Sequence, residues 1–256
     1  MKILLSGICG FMGREVVNYA KTGYRGSVLV GGIDRDATGD EGVPTAISFC
    51  AADHTPEFAV AVKDADCIID FTHHSCTPAL LDFAVDNNIP VVLCTTGQTD
   101  EENAKIKEAA KVIPVFHSAN MSLGVALLIE LAKKTAAAMP EAEIEIIEKH
   151  HNRKLDAPSG TALMIAEAIR DVRPEATNQC GRSGHGKRTP CEIGIHAIRM
   201  GNIVGEHEVI VGTAAQTITL KHEAHSRALF AEGAIIAADY ICGKPAGLYK
   251  MDDMVK

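Results

Sequence analysis

Lys2-Ile3-Leu4-Leu5-Ser6-Gly7-Ile8-Cys9-Gly10-Phe11-Met12-Gly13 runs from a short apolar segment into glycines at every third position, and Arg14 to Lys21 follows with Val16, Val17 and Ala20 at helical spacing. The pattern reads as a buried strand, a glycine turn and a helix. Ser27 to Ile33 is a second strand, ending at Asp34, which lies roughly 20 residues beyond the last glycine. A dinucleotide fold uses such a turn to set backbone N–H groups against a pyrophosphate, and an acid at that distance bonds the ribose hydroxyls. The stretch therefore predicts a Rossmann-like α/β domain. In it Gly7 makes the turn, the backbone through Ile8, Gly10, Phe11 and Met12 faces the pyrophosphate, and Gly13 lets the helix pack on the sheet. Arg35 follows the acid. Asp34 favours NADH by bonding the 2′-hydroxyl, whereas Arg35 can stack on adenine or meet the 2′-phosphate of NADPH, so both cofactors stay open.

Outward from this start, Cys67 to Phe71 and Pro90 to Leu93 are apolar runs suited to central parallel strands, and Val112 to His117 is a further strand after a helix at 99–111. Their exit loops hold Thr72 to Ser75, Cys94-Thr95-Thr96-Gly97 and Ser118-Ala119-Asn120-Met121-Ser122. His73 and His74 lack a nearby cation cluster and read as loop residues.

A second centre lies mid-chain. Glu143 to Glu148 alternates polar with apolar residues, as in a strand with one wet face. Then come His150-His151-Asn152-Arg153-Lys154-Leu155-Asp156-Ala157-Pro158-Ser159-Gly160-Thr161-Ala162, where Pro158 stops pairing and Ser159 caps a helix carrying Leu163, Ile165, Ala166 and Ile169. A loop rich in His, Arg and Lys that ends at a helix N-terminus suits an anionic ligand, and Gly160 lets it approach the backbone. A solvated basic loop would have the same composition. Leu123 to Met139 is helical, and Glu192 to Met200, Glu206 to Gly212 and Gln216 to Lys221 alternate as strands. With the strand ending at His150 these predict an α+β domain with a four-stranded mixed, largely antiparallel sheet, one face of which needs a partner. Cys180 to Arg188, glycine-rich and basic, reads as a mobile loop. The helix 228–242 and residues 245–256 are expected to return to the first domain. The domains are thus 1–120 with 228–256 for the dinucleotide, and 121–227 for substrate binding and oligomerisation.

The chain's 256 residues suffice for two domains, and an apolar share of 46% with 23% charged residues is ordinary for a soluble protein. No apolar run reaches the ~18 residues of a membrane span. The eight cysteines form no C-x-x-C pair and fall mostly in apolar segments, which points to a reducing cytoplasm without disulfides. His207 and His222 lack the H-E-x-x-H spacing of a zinc site, so no metal is expected. A net charge of −8 argues against nucleic acid.

The run His150 to Ala162 closely resembles the signature of the 4-hydroxy-tetrahydrodipicolinate reductase (dihydrodipicolinate reductase) family. Gly7-x-x-Gly10-x-x-Gly13, Cys94-Thr95-Thr96-Gly97, Ser118 to Gly124, Arg199 to His207 and His222 to Arg227 resemble further family motifs along the whole chain. Cys94 stands where the family has a glycine, and Met121 where an aromatic is common. The resemblance implies reduction of a cyclic dicarboxylate imine by NADH or NADPH in the diaminopimelate route to lysine, and a homotetramer. It implies His150 and Lys154 as acid catalysts and His151, Gly160 and Thr161 as substrate contacts. For the cofactor it implies Gly7, Ile8, Gly10, Phe11, Met12, Asp34, Arg35, Cys94, Thr95, Thr96, Ser118, Asn120 and Met121. The chemistry is coherent, because hydride delivery leaves an enamine that needs a proton. Two other readings share the sequence features: a non-catalytic dinucleotide sensor, and a dehydrogenase of the same topology acting on an amino or keto acid.

Overall fold

The computed structural model describes residues 1–255. The chain begins with β1 (Lys2–Ser6), α1 (Phe11–Lys21), β2 (Val28–Ile33), β3 (Thr45–Ala46), α2 (Pro56–Asp64), β4 (Cys67–Asp70), α3 (Thr77–Asp86), β5 (Val91–Leu93), α4 (Asp100–Ala109) and β6 (Pro114–His117). It continues through α5 (Leu123–Ala138), β7 (Glu143–His150), α6 (Gly160–Arg170), β8 (Thr177–Cys180), β9 (Glu192–Arg199), β10 (Gly205–Gly212) and β11 (Thr217–Ala224). It ends with α7 (Ala228–Ile241) and β12 (Gly247–Tyr249). Two compact units result, Met1–Ser122 joined by Ala228–Met254, and Leu123–Arg227.

The first unit is a seven-stranded sheet in the order β12-β6-β5-β4-β1-β2-β3, parallel throughout. Its central strands are buried on both faces, which explains why Cys67 to Asp70 and Val91 to Leu93 are unbroken apolar runs up to their last residue. Leu4, Ile68, Leu80, Leu81, Val91 and Val115 form one core with Phe58. Chain order reverses direction between β1 and β4, and in an open parallel sheet that switch point opens a crevice at the carboxyl ends of the two strands. There the glycine turn meets the loop after β4: a β-carbon on Gly7 would lie 3.0 Å from the Phe71 carbonyl.

The second unit has five strands in the order β11-β10-β7-β9-β8. Sequence alone predicts four, largely antiparallel. The missing one is β8, Thr-Asn-Gln-Cys, whose exposed polar residues carry no alternation. Pairings of β7 with β9 and of β8 with β9 are parallel, while β10 is antiparallel to β7 and β11, so the sheet is evenly mixed. On its covered face α5 and α6 bury Leu128, Ala132, Ile165 and Ile169 against Ile144, Ile146, Ile195 and Val209. Fully burying an isoleucine contributes about 1.5–3 kcal/mol, so this face anchors β7 in register. The segment after Cys180 is less free than a loop reading implies: the Arg188 guanidinium bonds the carboxylate of Glu145 and the carbonyls of Ile144 and Glu192.

Candidate active site

In the first unit the glycine turn has the form a dinucleotide needs. Gly7 has φ +85°, a conformation L side chains rarely adopt, and its carbonyl accepts the Gly10 N–H at 3.1 Å. A β-carbon on Gly13 would sit 2.0 Å from the Gly7 oxygen. The third glycine is therefore demanded by contact of α1 with the turn itself rather than with the sheet. Ile8 turns its side chain onto Gly32 and is buried, leaving its main chain to the crevice. Asp34 accepts the Cys9 N–H at 2.9 Å and the Asp36 N–H at 3.1 Å, so the acid is oriented by the turn. Burial, with the carboxylates of Asp34 and Glu41, pushes the Cys9 thiol up to about 11. Arg35 is exposed and pairs only loosely, at 3.6 Å, with Asp36.

The two threonine loops are tied together by buried Asp70, which accepts from Thr72 Oγ1 and Thr95 Oγ1, both at 2.7 Å. Burial raises the Asp70 carboxyl, against these bonds. The Cys94 N–H donates to the Asp70 carbonyl at 3.0 Å. A glycine is thus not needed there for this main-chain contact. Ser118 Oγ donates to the Asn120 carbonyl at 2.9 Å, and the Met121 side chain is buried. His74 faces Glu102 at 2.9 Å, which gives it a structural place at the start of α4.

In the second unit the pleat assembles a cluster. Glu148 and His150 are two apart on β7 and so share a face; Arg199 is paired with His150 across β9, and His207 with Glu148 across β10. All four lie on the covered face, just beyond its apolar part. The fully buried Glu148 carboxylate accepts both Arg199 Nη groups at 2.7 Å and the Ser159 N–H at 3.0 Å, and meets His150 Nδ1 at 2.6 Å. Burial alone would raise its carboxyl, but the hydrogen bonds from Arg199, His150 and Ser159 outweigh it and hold the group below the usual range. Burial lowers His150, with Lys154 and Arg199 in the same sense and Glu148 opposing. Ser159 Oγ caps α6 by accepting the Ala162 N–H at 3.3 Å, and lies 3.1 Å from His207 Nε2. Lys154 pairs with Asp156 at 2.8 Å. The loop that carries His151 and Lys154 is thus tied at its far end, through Asp156 and Ser159, to Arg199 and Glu148, and it runs directly into α6 at Gly160. A β-carbon on Gly160 would meet nothing within 4 Å, which leaves open space at the helix N-terminus.

Family models described as "Dihydrodipicolinate reductase, N-terminus" and "Dihydrodipicolinate reductase, C-terminus" match residues 1–121 and 124–255. The chain belongs to the dihydrodipicolinate reductase family. A 4-hydroxy-tetrahydrodipicolinate reductase of Clostridium novyi is 46% identical over all of this chain and 98% of its own length, and one of Caldanaerobacter subterraneus is 43% identical over the same shares. A dipicolinate-bound dihydrodipicolinate reductase from Paenisporosarcina sp. TG-14 superposes with a TM-score of 0.79 at 26% identity, covering 99% of both chains. An amine dehydrogenase of Mycobacterium smegmatis, at 9% identity and a TM-score of 0.64, shares the fold.

Sequence alone does not join Glu148, Arg199, Ser159 and His207 into this cluster. The available signal was the Glu-x-His spacing on a strand. His207 carries a testable consequence, since burial, then the His150 charge, lowers it from 6.5 to about 4, with Glu148 opposing and His222 and Lys154 adding. Above pH 6.5 its ring is neutral in both folded and unfolded chains. As pH falls towards about 4 the unfolded chain takes up the proton and the folded one does not, so stability declines by about 3 kcal/mol across that window. Thermal unfolding followed between these limits should show a Tm that falls more steeply in wild type than in His207→Gln; parallel curves would contradict it.

Proposed function

We propose that this protein reduces 4-hydroxy-tetrahydrodipicolinate to tetrahydrodipicolinate in the diaminopimelate route to lysine, using NADH or NADPH. The observation that carries this reading is the placement of His150, His151 and Lys154 with the N-terminus of α6 in one loop, in a chain of this family. Residues 1–120 and 228–256 form the cofactor domain and 121–227 the substrate and assembly domain. The glycine turn, with Ile8, Phe11, Met12, Asp34 and Arg35, would hold the dinucleotide, and the Cys94 to Thr96 and Ser118 to Met121 loops its nicotinamide end. When bound, the cofactor supplies the hydride. The chain's own residues do the rest: His151, Lys154, Gly160 and Thr161 bind the ring's carboxylates, and His150 with Lys154 provides the proton that the enamine requires. Loss of cofactor absorbance on adding the freshly generated cyclic imine, with amino and keto acids run in parallel, tests the reading. Turnover of an amino or keto acid in place of the imine would replace it.

Between the two cofactors NADH is favoured, because the oriented Asp34 carboxylate, with Glu41 close by at Cys9 Sγ, repels a 2′-phosphate. Asp34→Ala should weaken NADH more than NADPH, measured as the ratio of their dissociation constants; equal losses would show that Asp34 does not touch the ribose. A homotetramer is supported by the other face of the second sheet, where half-buried Ile147 and Ile210 and exposed Ile198 sit among Glu145, Lys149 and Glu206. Sedimentation of the purified protein tests it. A cytoplasmic setting suits eight cysteines that are all free thiols.

A further inference from the structure

Glu148 receives donors on every side. Oε2 takes Arg199 Nη1 and faces His150 Nδ1, and Oε1 takes Arg199 Nη2 and the Ser159 N–H. Arg199 and a backbone amide can only donate, so the carboxylate they clamp is an acceptor. An acceptor facing Nδ1 at 2.6 Å requires the proton to sit on Nδ1. That leaves Nε2, which makes no hydrogen bond to the protein among the described residues. Space in front of it depends on Gly205, where a β-carbon would lie 3.2 Å from Nε2 and 4.0 Å from His207. The same Arg199 also donates to the Asp156 carbonyl at 2.6 Å. Glu148 at Ser159 and Arg199 at Asp156 thereby pin the far end of the Lys154 loop to the strand that carries His150.

We propose that Glu148, clamped by Arg199, is a positioning residue for the reduction: it keeps a proton on His150 Nδ1, directs Nε2 as the reactive nitrogen into the space left by Gly205, and fixes the Lys154 loop in register with it. This rests on His150 being an acid in the proposed function. In the proton step Nε2–H of the loaded imidazolium gives its proton to the enamine carbon, and the N–H bonding pair returns to the ring. The Nδ1 proton stays against Glu148, and Nε2 is reloaded from water. The groups facing the ring are Glu148 from its own strand, Lys154 from the loop, Arg199 from β9 and His207 from β10.

Imidazole nitrogen NMR on heavy-nitrogen-labelled wild-type protein, with the His150 signals assigned by their loss in His150→Gln, reads the tautomer without disturbing the fold. A protonated Nδ1 with a bare Nε2 near neutral pH is expected, and an Nε2–H tautomer would overturn the proposal. Glu148→Gln should lower kcat about tenfold or more with KM for the dicarboxylate and calorimetric NADH binding little changed. Its pH–rate limb for His150 should move to lower pH, because the charge that favours the imidazolium is gone. Since this variant strands the Arg199 charge, Glu148→Asp serves beside it, keeping the charge and lengthening the Nδ1 contact, with an intermediate loss expected. In a His150→Ala background Glu148→Gln should cost clearly less in kcat than it does in wild type, because only its hold on the Lys154 loop remains to be lost. An equal loss in both backgrounds would overturn the role of Glu148 alone, whereas near-wild-type turnover by His150→Ala would overturn the acid reading itself.

Discussion

Lys154→Ala is expected to lower kcat by about 10²-fold or more and to raise KM for the dicarboxylate, as loss of a positioned proton donor and carboxylate contact would. Lys154 is held by Asp156 at 2.8 Å, and Asp156 is in turn held through its carbonyl by Arg199, so the ammonium is placed by a short chain of contacts from the buried strand. Its Asp156 partner is drawn below the usual carboxylate range by that ammonium and thus stays charged at neutral pH. Lysine to alanine removes both the charge and the donor, whereas Lys154→Arg would restore charge with a different reach and recover KM more than kcat. His150→Ala should lower kcat with a smaller change in KM. Steady-state kinetics with calorimetric NADH titration checks both: cofactor binding should survive each change. Either variant turning over at near-wild-type rates would return the loop to a solvated basic turn.

Gly13→Ala should cost about 1–3 kcal/mol of stability, the usual penalty of forcing a group into a packed site, and cut NADH affinity by roughly 10²-fold. Its β-carbon would lie 2.0 Å from the Gly7 carbonyl oxygen and 2.9 Å from Ile8 Cα, and both belong to backbone that cannot swing aside as a side chain does. Relief must come from moving the turn, which carries the N–H groups meant for the pyrophosphate and the Cys9 N–H that orients Asp34. Gly10→Ala is the control. Gly10 has φ −69°, and its β-carbon would stand 3.3 Å from the same oxygen, a contact relieved by a few tenths of an ångström. Thermal unfolding and cofactor calorimetry on the two variants should therefore separate them clearly; equal behaviour would show that the turn adapts and is not the binding element.

Strand, turn and helix were legible from Lys2 to Lys21 because three constraints coincide there: a strand buried on both faces, glycines with no steric alternative, and apolar residues at helical period. The central strands Cys67–Asp70 and Val91–Leu93 were readable for the same reason, whereas α2 (Pro56–Asp64) and the short edge strands β3 and β12 were not legible. Among sites, His150, Lys154 and the α6 cap stood out because Pro158 and Ser159 mark the boundary locally. What escaped was non-local. Arg199 reaches Glu148 only through the parallel register of β7 and β9, and His207 only through the antiparallel register with β10, and no residue pattern near Glu148 announces either. The fifth strand β8 escaped because its four residues are all exposed, so no core imposes alternation on them. The close packing of the Met121 carbonyl on Gly233, where a β-carbon would lie 1.7 Å away, was not legible either, because the two residues are more than a hundred positions apart in the chain.

The outer edge of β6 is completed only by β12, and α7 contributes buried residues such as Ala234, Ile235 and Ala238 to the same unit, both supplied after the whole of Leu123–Arg227 has been made. During synthesis, at ~5–20 residues per second, β6 therefore waits on the order of ten seconds with an unpaired edge bearing Val115 and Phe116. All five strands of the second sheet lie within the inserted segment made in that interval. This order of assembly makes β12 the strand that closes the β6 edge, so the first sheet is complete only when the last strand of the chain has been made.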